Sequence, residues 1–356
     1  MTPPRERVLD LCAFCPDLCL DVCPVSRATG NTAFSPWHKV SLLRALEKGL
    51  VPVDDAVVGA LHECVGCLAC SELCEHSQPV ADLLFEARGR YPWPADLPAG
   101  PAAPDLAAVA ARVVPAGVVE EEALAILVPG REVLESRPTS VTAAFRVLAA
   151  LGADGVAFTH ASLLDDGSVA RARGDGAAAL RAATALAQNA SRYKRVVVLG
   201  AHAWYTLAVW LPAQGRACTA AVVPFVDELS ARLDRWPSDV PPDPRRIAVH
   251  DACLLARGGH GAGEALRRVL TRVAGRAPLD LAHTGRNAWC CGRGAAYHHA
   301  RPDHAAAIAS LALAEARTAG AELLVCGCPA SASVFEQAGF PAMDLAQYLA
   351  SRLSSA

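Results

Sequence analysis

Leu42, Leu43, Leu46 and Leu50 recur at the spacing of an amphipathic helix, and Val57, Val58 and Leu61 do so in a second short segment. Val51-Pro52-Val53-Asp54 separates them, with Asp54 or Asp55 placed to cap the second helix. A third helix is predicted from Val80 to Arg88. After a Pro/Ala-rich linker from Tyr91 to Pro104, an alanine-rich helix is predicted around Leu106 to Val113. From about Glu120 the pattern changes. Ile126-Leu127-Val128 is a short apolar run closed by Pro129-Gly130, and helical stretches cover Val141 to Leu151 and Ala177 to Ala190. Arg195 to Gly200 reads as another buried strand. Much the same order returns after Pro244. Ile247 to His250 is a strand, Glu264 to Ala274 a helix closed by Gly275, His304 to Ala319 a helix closed by Gly320, and Leu323 to Cys326 a strand. This reads as an internal duplication offset by about 120–130 residues, and strands alternating with helices predict parallel α/β units.

Composition narrows the chemistry. The 356 residues are 53% hydrophobic with a net charge of −3, so there is material for a core and no cationic surplus for a phosphate backbone; nucleic acid is excluded as a partner. Met1 to Val8 is polar and shows no apolar signal region. No run of about 18 apolar residues exists to cross a bilayer, so the expectation is a cytoplasmic chain whose membrane association would come through a partner. The chain has 14 cysteines, grouped closely. In a reducing compartment that grouping points to metal rather than disulfides.

Residues 1–90 hold two runs: Cys12, Cys15, Cys19 and Cys23-Pro24, then Cys64, Cys67, Cys70 and Cys74. The second has the spacing of bacterial ferredoxins but Glu75 in place of the closing proline. The first has the proline but one extra residue between Cys15 and Cys19. In such runs three cysteines wrap one [4Fe–4S] cluster and the fourth serves the other. This assigns Cys12, Cys15, Cys19 and Cys74 to one cluster, and Cys64, Cys67, Cys70 and Cys23 to the second. Paired Cys-x-x-Cys motifs also make four-thiolate zinc sites, which is the competing reading.

The C-terminal half has His250-Asp251-Ala252-Cys253, then Cys290-Cys291-Gly292 after 36 intervening residues, then Cys326-Gly327-Cys328-Pro329. Adjacent cysteines suit a site where one thiolate bridges two irons. Parallel strands would gather Cys253 and Cys326–Cys328 at one sheet edge. Here the sequence resembles the cysteine-rich CCG domain of heterodisulfide reductases and of the iron–sulfur subunits of glycolate oxidase and anaerobic glycerol-3-phosphate dehydrogenase. Cys253, Cys290, Cys291 and Cys328 match the family's cysteines, the last family cysteine falls on Ser331, and Cys326 is an extra thiol nearby. Arg257 matches the arginine that closes the family's His-Asp-Pro-Cys motif. The first repeat has no cysteine at the corresponding places, Pro129-Gly130, Phe158-Thr159-His160 and Gly200-Ala201-His202-Ala203.

The resemblance implies an α+β multidomain chain. A helical, two-cluster ferredoxin-like domain (1–90) precedes a linker and helix (91–118), a degenerate CCG-like repeat (119–243) expected to bind no cluster, and a CCG domain with an altered site (244–356). It implies an electron-transfer subunit with no catalytic residues of its own. Two [4Fe–4S] clusters, and a third iron–sulfur cluster or zinc at the CCG site, would serve a partner such as a flavoprotein dehydrogenase, a hydrogenase or a membrane cytochrome. The alternatives are a disulfide reductase and a zinc-stabilised docking module. Cys218 reads as a buried small hydrophobe and His160 and His202 as locally hydrogen-bonded residues. His298 and His299 read as a solvated helix start, and Trp289 as core or as a shield for Cys290. The glycine-rich stretch 258–263 is weak as a phosphate cradle.

Overall fold

The computed structural model describes residues 5–92, 104–116, 118, 123–153, 155–261 and 263–353. Positions 93–103 of the expected linker, positions 119–122 where the pattern changes, and the first four residues lie outside the described residues. Packing gathers the chain into two units, each assembled from segments distant in sequence. One comprises Met1–Pro101, Val169–Ala179 and Trp289–Ala312; the other comprises Ala102–Ser168, Leu180–Ala288 and Leu313–Ala356.

The first unit is helical at its N-terminal end: α1 (Arg5–Ala13), α2 (Pro24–Thr29), α3 (Pro36–Glu47), α4 (Asp55–Leu61), α5 (Ala69–Leu73) and α6 (Val80–Arg90). Ser35 starts α3 by accepting from the His38 amide at 3.2 Å, with Pro36 supplying the fixed φ that a first helical turn needs. Asp54, not Asp55, caps α4, its Oδ1 accepting from the Val57 amide at 2.9 Å. Leu43 and Leu46 enter a core with Val8, Leu9, Leu61 and Leu84. Leu50 does not: it is 71% exposed, because α3 stops at Glu47 and Gly49, at φ +66°, turns the chain away.

The second unit holds two four-stranded parallel sheets. One is built from β1 (Ala125–Val128), β2 (Val156–Phe158), β3 (Arg195–Val198) and β4 (Ala221–Pro224) in the order β2-β1-β3-β4. The other is built from β5 (Ile247–His250), β6 (Leu279–Asp280), β7 (Leu323–Cys326) and β8 (Ala342–Asp344) in the order β6-β5-β7-β8. The two share one topology and one register at their centres, Val128 opposite Val198 and His250 opposite Cys326. The flanking strands β2, β6 and β8 have at most three residues each, too short to carry a period in the sequence.

The repeats meet through helices. Arg131–Ser136, which follows β1, packs on Pro329–Gln337, which follows β7; Ala201–Tyr205, which follows β3, packs on Cys253–Arg257, which follows β5. Each repeat's first-strand helix thus meets the other's third-strand helix, an approximate two-fold arrangement. Thr139–Ala150 against Leu345–Leu353 continues the contact, where Ser140 Oγ donates to the buried Asp344 at 2.8 Å. Among the described residues no helix is long and apolar enough to cross a membrane.

Asp251, 3% exposed, is the main polar tie of the second repeat. It accepts from Arg267 at 2.9 and 3.0 Å, from the Thr284 hydroxyl at 2.9 Å and from the Gly285 amide at 2.7 Å. Burial opposes its charge, but Arg267 and the Gly285 amide outweigh burial and hold the carboxyl below its ordinary range. Asp251→Ala is expected to lower the urea unfolding free energy of the chain by about 3 kcal/mol, because Arg267 loses its buried partner. An unchanged midpoint would show that Asp280, which also pairs with Arg267, suffices.

Candidate metal centres

The first cysteine run follows α1. Cys12 sits in its last turn and the Cys15 amide closes back on the Cys12 carbonyl at 3.1 Å. Asp17 adopts φ +56°, and its carboxylate takes hydrogen bonds from Ser35 Oγ at 3.0 Å and, at 3.8 Å, from the Cys19 thiol. That non-glycine left-handed residue absorbs the extra position between Cys15 and Cys19. Burial pushes the Cys12 thiol up to about 11, with Cys74 and Cys15 adding to it. Burial and then Asp17 push Cys19 to about 12, with Cys23 and Cys12 contributing. Cys74, at the end of α5, is the charge that adds most to burial at Cys12.

The second run is a tight loop. Gly66, at φ +66°, donates its amide to Cys64 Sγ at 3.4 Å, and Leu68 adopts φ +64° before α5 begins. Cys23, the N-cap of α2, lines one cavity with Cys64, Cys67 and Cys70. Burial raises the Cys70 thiol well above its ordinary value, with Cys64, Cys67 and Cys23 as its nearest reinforcing charges. Two buried cations stand beside this cavity. Lys39, 1% exposed, donates to the Glu63 carbonyl at 2.5 Å; burial disfavours its charge, but Cys23, Cys64, Cys70 and Glu63 outweigh it and raise its pKa. Arg88, 2% exposed, gives its donors to the carbonyls of Cys64, Ala172 and His62 at 2.9, 2.8 and 3.1 Å. Buried cations beside a group of thiols fit an anionic centre at that place.

The thiols of the C-terminal half divide between the units. In the second unit, Cys253 opens the helix after β5, Cys326 ends β7 with no exposure, and Cys328 caps the helix after β7. The Gly327 amide donates to the His250 carbonyl at 3.0 Å, so these strand ends adjoin. Arg257 donates to the carbonyls of Arg286, at 2.7 Å, and Ala288, fixing the strand-to-loop segment that leads to Cys290. In the first unit, Cys290 and Cys291 are buried and the Gly292 amide donates to Cys290 Sγ at 3.4 Å. Gly292 is required twice over: it lies at φ +86°, and a Cβ would meet the Ala305 carbonyl oxygen at 2.6 Å. Trp289, beside Cys290, is 8% exposed.

Two carboxylates escaped the sequence reading, and the partner of His202 lies elsewhere than expected. Glu63, 1% exposed, accepts from Tyr297 Oη and from Arg301 Nε at 2.6 Å and contacts His304 Nδ1 at 3.1 Å, so the residue before Cys64 anchors the helices after Cys290-Cys291-Gly292. Glu132, on the helix after β1, accepts from the Cys328 thiol at 3.9 Å. His202 is not locally bonded: its amide donates to Glu132 Oε1 at 2.9 Å and its ring pairs with Oε2. Burial works against charge on His202, but Glu132 outweighs it and pushes the imidazole up to about 9. A lone glutamate after Pro-Gly carries no sequence signal; only the fold shows what it faces. Cys218, half-buried, takes a contact from Ser191 Oγ at 3.5 Å, and His160 bonds locally to Ser162 at 2.8 Å. The ring of His298 is half-buried and lies 3.2 Å from the Arg293 carbonyl oxygen. In the 258–263 stretch, His260 pairs with Asp227 at 2.7 Å.

Among the described residues no three His, Cys, Asp or Glu side chains converge as a single ion would require.

With this geometry in hand, the comparisons can be placed. Residues 247–333 match the family model of the cysteine-rich domain CCG. Among individual proteins, the chain is similar to the probable glycolate oxidase iron–sulfur subunit of Bacillus subtilis (strain 168), 34% identical over 71 residues. That stretch is 20% of this chain and 16% of the relative.

The two loop glycines predict different outcomes. A Cβ on Gly66 would meet the Phe85 ring at 2.7 Å, a side chain that can be trimmed. Gly66→Ala is expected to cost about 2 kcal/mol in denaturant unfolding, and Phe85→Leu in the same chain should recover the steric part of the loss. Gly292→Ala meets backbone, and no single side-chain trimming should rescue it. Equal rescue of both would contradict the assignment of the obstacles.

Proposed function

We propose that this chain is an iron–sulfur electron-transfer subunit of a larger oxidoreductase. Cys12, Cys15, Cys19 and Cys74 would hold one [4Fe–4S] cluster, and Cys23, Cys64, Cys67 and Cys70 the second, in a ferredoxin-like arrangement spanning 1–90. Cys253, Cys290, Cys291 and Cys328, with Cys326 adjacent, would hold a third centre in the domain 244–356. The observation that carries the reading is Cys23 sharing a cavity with Cys64, Cys67 and Cys70. A closing cysteine that crosses to the other run is the wiring of a two-cluster domain, not of two local zinc sites.

Such clusters supply one-electron transfer when bound. The chain's own residues do the rest: Lys39 and Arg88 offset negative charge, the Gly66 and Gly292 amides donate to thiolates, and Phe85 and Trp289 border the loops that carry them. No acid–base pair for substrate chemistry is needed in such a relay. The donor fits a flavoprotein dehydrogenase, a role suggested by the similarity to a probable glycolate oxidase iron–sulfur subunit. We place the complex in the cytoplasm, with any membrane contact made by the partner.

Anoxically purified full-length chain is expected to carry about eight irons in the N-terminal pair and about four more at the CCG site. Metal analysis and electron paramagnetic resonance of the reduced protein check this; stoichiometric zinc without iron would sink the proposal. Lys39→Met is expected to lower the potential of the cluster held by Cys23, Cys64, Cys67 and Cys70 by roughly 50–100 mV, since it removes a buried positive charge beside the thiolates. A resonance-monitored redox titration reads the shift.

A further inference from the structure

In parallel sheets of this strand order, ligands gather at the carboxyl ends of the two central strands, where the order reverses. In the second repeat those ends carry Cys253 and Cys328; in the first repeat they carry Glu132 and His202. The approximate two-fold contact sets the pairs face to face. The helix of Glu132 packs on that of Cys328, and the helix of His202 on that of Cys253. Glu132 Oε1 is 3.9 Å from Cys328 Sγ.

The backbone is shaped for this. A Cβ on Gly200 would meet the Pro129 carbonyl oxygen at 2.7 Å and Glu132 Oε1 at 3.0 Å, and one on Gly130, at φ +82°, would meet the Ala203 Cβ at 2.9 Å. Only glycine at both places lets the two strand ends close around the carboxylate. Glu132 is 8% exposed, and His202 holds its carboxylate in place with amide and ring. Ser331, where a further thiolate is missing, is 5% exposed on the Cys328 helix.

We propose that Glu132 supplies an oxygen donor to a metal centre at the strand ends that carry Cys253 and Cys328, in place of the thiolate missing at Ser331, with His202 as its positioning residue. The inference rests on the reading of the second repeat as a metal site. A carboxylate conserves the charge of a thiolate while being a harder donor, and iron and zinc both accept it. The first repeat is then not a bare scaffold but the other half of the site.

The test uses full-length protein loaded with iron and sulfide under anoxia, comparing wild type, Glu132→Gln, Glu132→Cys and His202→Gln. Metal per chain, the resonance spectrum of the third centre and thermal midpoints are read together. Glu132→Gln is expected to lose the third centre's metal and signal while the N-terminal pair keeps about eight irons. Glu132→Cys should retain the metal with an altered spectrum, and His202→Gln should weaken retention. If Glu132 only braces the fold, the variants will lower the thermal midpoint yet keep wild-type metal content and spectrum, and the proposal is overturned. Wild-type protein with about eight irons and no zinc would instead overturn the underlying metal reading as well.

Discussion

The carboxyl ends of β5 and β7 lie side by side because His250 and Cys326 are register partners in a parallel pair, and the cysteine-rich repeat is organised from that adjacency. The Gly327 amide reaches back to the His250 carbonyl, and the His250 ring stands edge-on against Phe335 at 4.7 Å. Asp251 then ties the helix Gly263–Ala274 to the turn at Thr284-Gly285, and Arg257 holds the carbonyls just before Trp289. The motif residues that are not thiols therefore position backbone: each fixes a segment that carries or leads to a cysteine.

Charge organises the helical unit in a comparable way. Lys39 and Arg88 are more deeply buried than cations ordinarily are, and they give their hydrogen bonds to carbonyls rather than carboxylates. An anionic centre among Cys23, Cys64, Cys67 and Cys70 would offset their desolvation, which is of order several kcal/mol per ion. Glu63 sits between this region and the Tyr297–His304 segment, so the loop bearing Cys290-Cys291-Gly292 is braced by the residue that precedes Cys64.

Much of this was legible in the sequence. The central strands, the helices Asp55–Leu61 and Leu106–Val113 and the gathering of Cys253 with Cys326 and Cys328 at one sheet edge follow from periodicity, capping and topology. The flanking strands β2, β6 and β8 were not legible, because two or three residues cannot show alternation. Leu50 was misplaced because Leu continues a helical period that Gly49 had already ended. Glu132 and His202 were opaque for a different reason: they are 70 residues apart and acquire meaning only when two repeats are folded against each other.

The burial of the cysteines also bears on how such a protein is assembled. Burial raises the Cys12 and Cys19 thiols above their ordinary values, so in the folded chain they stay protonated and are poor nucleophiles. Any metal held by such sulfurs would have to displace their protons, so its retention would weaken as the solution turns acidic.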